Sequence, residues 1–134
     1  MAGAATDYLE NKILDYILGG VTFTVPSTLY IGLATSVNEE GTITGEPTTE
    51  VGYHRIALSN NLTTFPSASN GQKSNGVDII FPTATGDWGT INYTFIADSD
   101  KDVVGGKVLL YSQLAVSKTT SSIVTGKQIG RAHV

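Results

Sequence analysis

A period of two in the placement of apolar side chains dominates this chain and predicts short β-strands. Strand-like runs lie at residues 29–33, 53–58, 77–81, 91–97 and 107–114. Successive side chains of a strand point to opposite faces, so each run can place one apolar face against a core. Clusters of Gly, Pro, Asn and Asp separate the runs and are typical of turns. The pattern predicts a mainly β fold, an antiparallel β-sandwich of jelly-roll-like form.

The stretch from residue 77 to residue 97 is predicted to be the centre of this fold. Val77, Ile79 and Phe81 share one strand face, and a second run begins at Ile91. The turn between the two runs carries Trp88, the single Trp of the chain. A large aromatic side chain at the entry of a strand can close one end of a core. The alternative is that the Trp88 ring stacks on a sugar.

One amphipathic helix is predicted near the N-terminus, over about residues 7–18. Leu9, Ile13 and Ile17 fall at helical spacing and form one apolar stripe. Asp7 and Glu10 have the spacing of a capping box, and two glycines after Leu18 can end the helix. Two interpretations of the stripe remain open: it packs on its own domain, or it contacts a neighbouring subunit.

Composition excludes several classes of protein. The chain has 134 residues, no Cys, a charged fraction of 15% and a formal net charge of −4. Without Cys there is no disulfide framework and no thiolate zinc site. An acidic chain without a basic run disfavours nucleic-acid binding, and no apolar stretch is long enough for insertion into a membrane. A surface rich in Ser, Thr, Asn and Gly suits a protein that sits in an assembly, and it equally suits a small secreted domain.

Candidate catalytic groups are few, and we expect no enzyme activity, no metal and no cofactor. His54 stands alone in a predicted strand, whereas a hydrolytic triad needs a nucleophile, a base and an orienting acid. Asp98, Asp100 and Asp102 have the alternate spacing of a calcium loop but lack its later Glu, so a solvated acidic turn is expected. Four glutamates lie on one long polar loop, residues 38–52, a poor frame for rigid catalysis.

The last six residues, 129–134, look foreign to the protein. They can be encoded by a DNA string that resembles a common sequencing adapter, with the preceding Gln128 supplying its first bases. We therefore expect a single β domain over residues 1–128, followed by a sequence artefact that includes His133. On this interpretation the natural protein continues past this point, and the sheet lacks a final strand.

Several short motifs, taken in order, resemble a family of small tailed-phage and prophage virion proteins, often labelled tail fibre or tail-associated proteins. The motifs are Tyr8-Leu9-Glu10-Asn11-Lys12-Ile13-Leu14-Asp15, Leu18-Gly19-Gly20, Leu29-Tyr30-Ile31-Gly32-Leu33, Glu46-Pro47, Gly52-Tyr53-His54-Arg55, Phe81-Pro82-Thr83-Ala84, Trp88-Gly89-Thr90 and Leu109-Leu110-Tyr111. The resemblance covers nearly all of residues 6–120.

The resemblance implies a structural protein of the virion that assembles with other virion proteins. It implies no enzyme activity and no cofactor. Homo-oligomers are expected, trimers among them because phage fibres commonly have threefold symmetry, and synthesis takes place in the bacterial cytoplasm. The predicted contact surfaces are the stripe of Leu9, Ile13 and Ile17 and the loop 38–52.

Two alternative functions stay open. A carbohydrate-binding module that recognises a host-surface glycan would need ligand-facing aromatic side chains, for which the candidates are Tyr30, Tyr53, Trp88 and Tyr93. A capsid decoration protein would instead clamp neighbouring subunits of the shell.

Overall fold

The computed structural model describes residues 4–101 and 105–119, and the backbone of residues 131–133. Its elements, in chain order, are β1 (Ala4–Ala5), α1 (Asp7–Ile17), β2 (Thr28–Ala34), β3 (Ser36–Val37), β4 (Ile43–Thr44), a 3₁₀ turn (Thr49–Val51), β5 (Ile56–Ser59), β6 (Gln72–Ser74), β7 (Ile91–Ala97), β8 (Val108–Lys118) and β9 (Arg131–His133).

A five-stranded antiparallel sheet organises the fold, in the order β1-β8-β7-β2-β5. Strands β3 and β4 form a small hairpin, and β6 pairs with β9. The predicted mainly β, antiparallel fold with one N-terminal helix is confirmed. The jelly-roll arrangement stays a prediction.

Apolar side chains are buried on both faces of the main sheet. On one face, Ile31 and Leu33 belong to a cluster completed from irregular segments that follow β4 and β6, namely by Tyr53, Ile79, Phe81 and Trp88, with Ile91 at the start of β7. On the other face, Ala34, Phe95, Ala97 and Val108 meet Val37 of the hairpin. Much of the covering layer therefore has no regular secondary structure, and specific contacts have to fix its position.

Residues 77–81 differ from the prediction, because this segment is not a strand. Its alternation is nonetheless meaningful: Ile79 and Phe81 are buried, whereas Ile80 is exposed. The segment lies in the covering layer, where it contributes side chains to the core without joining a ladder. Trp88, as predicted, closes this core, with 3% of its surface exposed.

The helix is confirmed over Asp7–Ile17, but the predicted capping box is wrong. The N-cap is Thr6, whose Oγ1 accepts a hydrogen bond from the Leu9 N–H at 3.4 Å. The same oxygen donates to the carbonyl of Val108 at 2.7 Å. Because the Thr6 hydroxyl donates its proton to a carbonyl of β8, the residue that caps the helix also fixes the helix to the sheet.

The end of the chain is covered only in part by the described residues. Strand β8 continues the predicted run to Lys118, and residues 120–130 and 134 lie outside the description. The backbone of residues 131–133 pairs with β6. The foreign origin of residues 129–134 and the domain boundary at residue 128 stay predictions.

Candidate functional site

A buried ion pair between Arg55 and Glu46 is the centre of the main polar cluster of this domain. Nε and Nη2 of Arg55 donate to the two carboxylate oxygens of Glu46, each at 2.8 Å. Nη1 donates to the carbonyl of Ser99 at 2.9 Å. Only 1% of the Arg55 side chain and 13% of the Glu46 side chain are exposed. The bidentate pair with Glu46 and the bond to Ser99 compensate the positive charge of Arg55, which would be costly to bury without partners.

Tyr53 joins this ion pair to the sheet. Its hydroxyl donates to Glu46 Oε2 at 2.6 Å and accepts the backbone N–H of Leu33 at 3.0 Å. Strand β5 pairs with β2 only as far as Ile31. Beyond that point the Tyr53 hydroxyl, and not a strand carbonyl, accepts the N–H of Leu33. Burial, followed by the charge of Glu46, raises the pKa of Tyr53 far above its usual range. The phenol therefore stays protonated and acts as a fixed donor.

The guanidinium of Arg55 also lies over the ring of Phe95, with 4.9 Å between Cζ and the ring centroid. A cation over an aromatic face is attracted by the ring quadrupole, most strongly when both groups are desolvated. Phe95 is 1% exposed and belongs to the core on the hairpin side of the sheet. The ion pair thus links the two cores rather than lining an open cleft.

A second contact joins two loops through the backbone of Val51. Its carbonyl oxygen accepts the indole N–H of Trp88 at 2.7 Å and the backbone N–H of Thr85 at 3.0 Å. A Cβ on Gly86 would lie 2.6 Å from Val51 Cγ1, so a side chain there would push the loops apart. The segment around Val51 and the segment 85–88 are therefore packed against each other, although they are distant in the sequence.

The four candidate ligand-facing aromatics fall into two groups. Tyr53 and Trp88 are buried, and their rings meet edge to face with centroids 5.4 Å apart. A ligand-facing role for these two side chains does not fit this burial, because core atoms cover the faces that a sugar would need. Tyr30 and Tyr93 are half-buried. Tyr93 lies beside Tyr111, with ring centroids 6.4 Å apart.

The predicted helix stripe is divided between two environments. Leu9 and Ile13 are half-buried against their own domain, whereas Ile17 is 67% exposed. Leu14 and Leu18 are 54% and 80% exposed. Positions 14, 17 and 18 are three and four residues apart, so their side chains are neighbours on the helix surface. We call this set, Leu14, Ile17 and Leu18, the α1 face.

The remaining candidate groups form no reactive site in the described part of the chain. His54 is exposed, with Nδ1 3.0 Å from the carbonyl of Arg55. Oδ1 of Asp98 accepts the backbone N–H of Lys107 at 2.7 Å and so stabilises the β7–β8 turn, while Asp102 lies outside the described residues. Among described side chains, no group of three His, Asp or Glu has the geometry to hold a metal ion.

The described part of the chain contains one α-helix, Asp7–Ile17, and a short 3₁₀ turn. Neither of them combines the length and the apolar character that a membrane span requires.

Sequence reasoning did not find the Glu46–Arg55 pair. The two residues are nine positions apart, and Glu46 was one of four glutamates on a loop that looked solvated. One signal was present: Arg55 interrupts a strand-like run, on the same predicted face as Tyr53. A cation there needs a nearby anion if that face is buried.

Comparison with known proteins agrees with the resemblance noted from the motifs. No curated protein matches the chain. A family model described as "Podophage GP4 fiber I protein gp80" matches residues 4–127, which is most of the sequence. The name describes a phage fibre component and so supports a structural role in the virion. By this match, the chain belongs to the podophage GP4 fiber I protein gp80 family.

Proposed function

We propose that this protein is a structural subunit of a phage tail fibre, and that it assembles with copies of itself through the α1 face. The observation that carries the proposal is the exposure of Leu14, Ile17 and Leu18 on one side of a helix that is anchored at its other end. Family membership supports the virion role. The family description also favours a fibre over a capsid decoration protein.

Burial of apolar area supplies the free energy of this association. Fully burying an exposed Leu or Ile side chain contributes about 1.5–3 kcal/mol, so the α1 face can supply several kcal/mol to association. Val21, which follows the helix, is 55% exposed and extends the apolar surface along the chain. Leu9 and Ile13, named in the predicted stripe, serve mainly to hold the helix on its own sheet.

Stable interfaces bury at least roughly 1,000 Å² in total, more than one short helix face provides. We therefore assign the loop 38–52 to the same interface. It begins at the anchored end of the helix, where the carbonyl of Glu39 accepts the backbone N–H of Asp7 at 2.7 Å, so an interface with both surfaces runs along the length of α1. The network of Glu46 and Arg55 holds the far part of this loop in place, so the loop can present a fixed surface to a neighbour.

The test is a pair of charge substitutions, Ile17→Asp with Leu18→Asp, followed by mass measurement with light scattering. We expect the unaltered protein to form a discrete oligomer, namely a trimer, because phage fibres commonly have threefold symmetry. We expect the variant to be a monomer. Leu62→Asp with Ile80→Asp is the matched control, since Leu62 and Ile80 are 63% and 59% exposed and lie outside the α1 face. A monomeric unaltered protein, or an oligomer that survives both charges, contradicts the proposal.

A glycan-binding role is the second candidate, and the half-buried pair of Tyr93 and Tyr111 favours it. Partial burial, followed by the charge of Glu39, raises the pKa of Tyr111. Sugars bind where aromatic faces stand next to polar groups. Tyr30 offers a further half-buried ring on the sheet.

A glycan array with the unaltered protein tests this second role. Binding that is lost in Tyr93→Ala and kept in Tyr16→Ala, a substitution on the helix surface, supports it. An array without hits rejects it, and so does binding that Tyr93→Ala leaves unchanged.

The proposed role needs no catalysis. Each polar group of the Glu46–Arg55–Tyr53 cluster has a partner within the fold, and this arrangement stabilises the loops. We infer a non-enzymatic subunit that is made in the bacterial cytoplasm and carried in the virion.

A further inference from the structure

Two Asn-Gly dipeptides occur in the chain, Asn70-Gly71 and Asn75-Gly76, and their surroundings differ sharply. In such a dipeptide the backbone nitrogen of Gly can attack the side-chain amide carbon of Asn. The absence of a side chain on Gly leaves this path open. The same intrinsic chemistry is therefore present twice, five residues apart.

Asn70 and Gly71 form the tip of an exposed two-residue hairpin. Both have positive φ, 54° and 71°, as type I′ turns require. Ser69 and Gln72 close the turn with two backbone hydrogen bonds of 3.0 Å each. Nothing lies within 4 Å of the position that a Cβ on Gly71 would occupy. Among the described residues, no hydrogen bond holds the Asn70 side chain or the Gly71 N–H.

Asn75 and Gly76 are held on both sides of the reacting bond. The Nδ2 of Asn75 donates to the carbonyl of Val77 at 2.8 Å, so its amide cannot rotate freely. The backbone N–H of Gly76 donates to the carbonyl of Thr64 at 2.6 Å. A Cβ on Gly76 would lie 2.8 Å from the carbonyl oxygen of Thr63. Both hydrogen bonds have to break before the nitrogen can reach the amide carbon.

We propose that Asn70 is a site of spontaneous deamidation in the folded protein, and that the fold protects Asn75. The Gly71 nitrogen forms a bond with Cγ of Asn70, the bond from Cγ to Nδ2 breaks, and the Gly71 proton leaves with the Nδ2 group as ammonia. Water then opens the five-membered imide at one of its two carbonyls. The products at this position are an aspartate and its isomer, in which the main chain runs through the former side chain.

The two products affect the turn differently. Either one adds a negative charge to a chain whose formal net charge is already −4. Only the isomer lengthens the backbone of a two-residue turn by one carbon, which disturbs the register of Ser69 with Gln72 and of β6 behind it. Conversion of Asn70 therefore alters this hairpin with time and leaves the core and the α1 face unchanged.

Peptide mapping can follow both sites in one sample. Trypsin cuts after Arg55, Lys73 and Lys101, so Asn70 falls in the peptide 56–73 and Asn75 in the peptide 74–101. The full chain is incubated in mildly alkaline buffer at body temperature, and the mass of each peptide is followed over time. Fragment spectra locate the converted residue and separate it from the other Asn residues of the same peptides. A second sample is incubated in concentrated urea.

In the folded protein we expect Asn70 to convert about tenfold faster than Asn75 or more, the factor that two modest hydrogen bonds impose on a rate. In urea the two rates become similar, because both dipeptides lose their surroundings. Equal rates in the folded protein, or faster conversion of Asn75, overturn the proposal. A difference between the two sites that persists unchanged in urea overturns it too, since the fold would then not be its cause.

Discussion

Gly32 lies directly beneath the ring of Phe95, its partner across β2 and β7. A Cβ built on Gly32 would stand 2.7 Å from Cε2 of that ring and nearer still to Cζ. The same ring carries the guanidinium of Arg55. The absence of a side chain at position 32 thus allows the Phe95 ring to lie close against β2. Phe95 in turn supports the guanidinium of Arg55, which holds the loops in place.

Gly32→Ala is expected to destabilise the protein by at least about 1–3 kcal/mol, the usual cost of forcing extra volume into a packed core. Denaturant unfolding measures the loss. The pairing with Phe95 is tested by a double-mutant cycle with Phe95→Leu, which removes the far end of the ring. The double variant should lose clearly less than the sum of the two single losses. Simple additivity would show that the two residues do not limit each other.

Glu46→Ala removes the partner of a buried cation, and we expect it to lower the free energy of unfolding by about 3 kcal/mol or more. The reason is that Arg55 then loses the carboxylate that accepts two of its hydrogen bonds and balances its buried charge. Glu40→Ala on the same loop is the control, because Glu40 is exposed, and its effect should stay within about 0.5 kcal/mol. Similar losses for the two variants would contradict the role of the ion pair.

Tyr53 predicts a loss of stability in alkaline solution. Its pKa is raised in the folded state by burial and then by Glu46, while an unfolded chain ionises Tyr at about 10. The stabilisation is therefore complete below about pH 10 and falls as the pH rises above it, by up to about 1.4 kcal/mol per pH unit, because only the unfolded chain releases the proton.

Urea unfolding at several pH values, on the unaltered protein and Tyr53→Phe, isolates this proton. The variant should be less stable near neutrality, where two hydrogen bonds are missing, and should lose less with each step above pH 10. Tyr16→Phe is the control, since Tyr16 is 60% exposed. An alkaline slope that Tyr53→Phe leaves intact would assign the effect to other groups.

Thr6 gives a prediction for the attachment of the helix. Thr6→Val keeps the shape of the side chain but removes the bond to the Val108 carbonyl and the N-cap, with an expected cost of about 1–2 kcal/mol. Thr48→Val is the matched control, because Thr48 precedes a 3₁₀ turn without making a side-chain cap. If the two variants lose the same stability, the Thr6 hydroxyl does not anchor α1.

The local sequence pattern was sufficient to predict the elements that have a regular period of their own. Leu29, Ile31 and Leu33 predicted β2, and the stripe at Leu9 and Ile13 predicted the helix, because in both cases the period belongs to the element itself. Residues 77–81 alternate in the same way and yet are not a strand. Alternation there reports which side chains face the core, and it does not report whether a neighbouring backbone is present to pair.

The polar cluster could not be predicted, since it depends on loops that return to the sheet after a reversal. Gly52, with a φ of 82°, turns the chain between Glu46 and Arg55 and brings them together. The second contact of this kind, between Val51 and Trp88, spans 37 residues. Burial of Trp88 was predictable from its size and apolar character, whereas its acceptor was not.

The pairing of β1 with β8 has a mechanical consequence for a fibre under tension. Among the described residues, only Ala4 and Ala5 pair with β8 at this edge, and β1 runs antiparallel to it. The N-terminal end of β1 and the C-terminal end of β8 therefore leave the sheet on the same side. A pull that separates these ends opens the two pairs one after the other, like a zipper. Thr6, bonded to the carbonyls of Val108 and Leu109, is the first point that resists such a load.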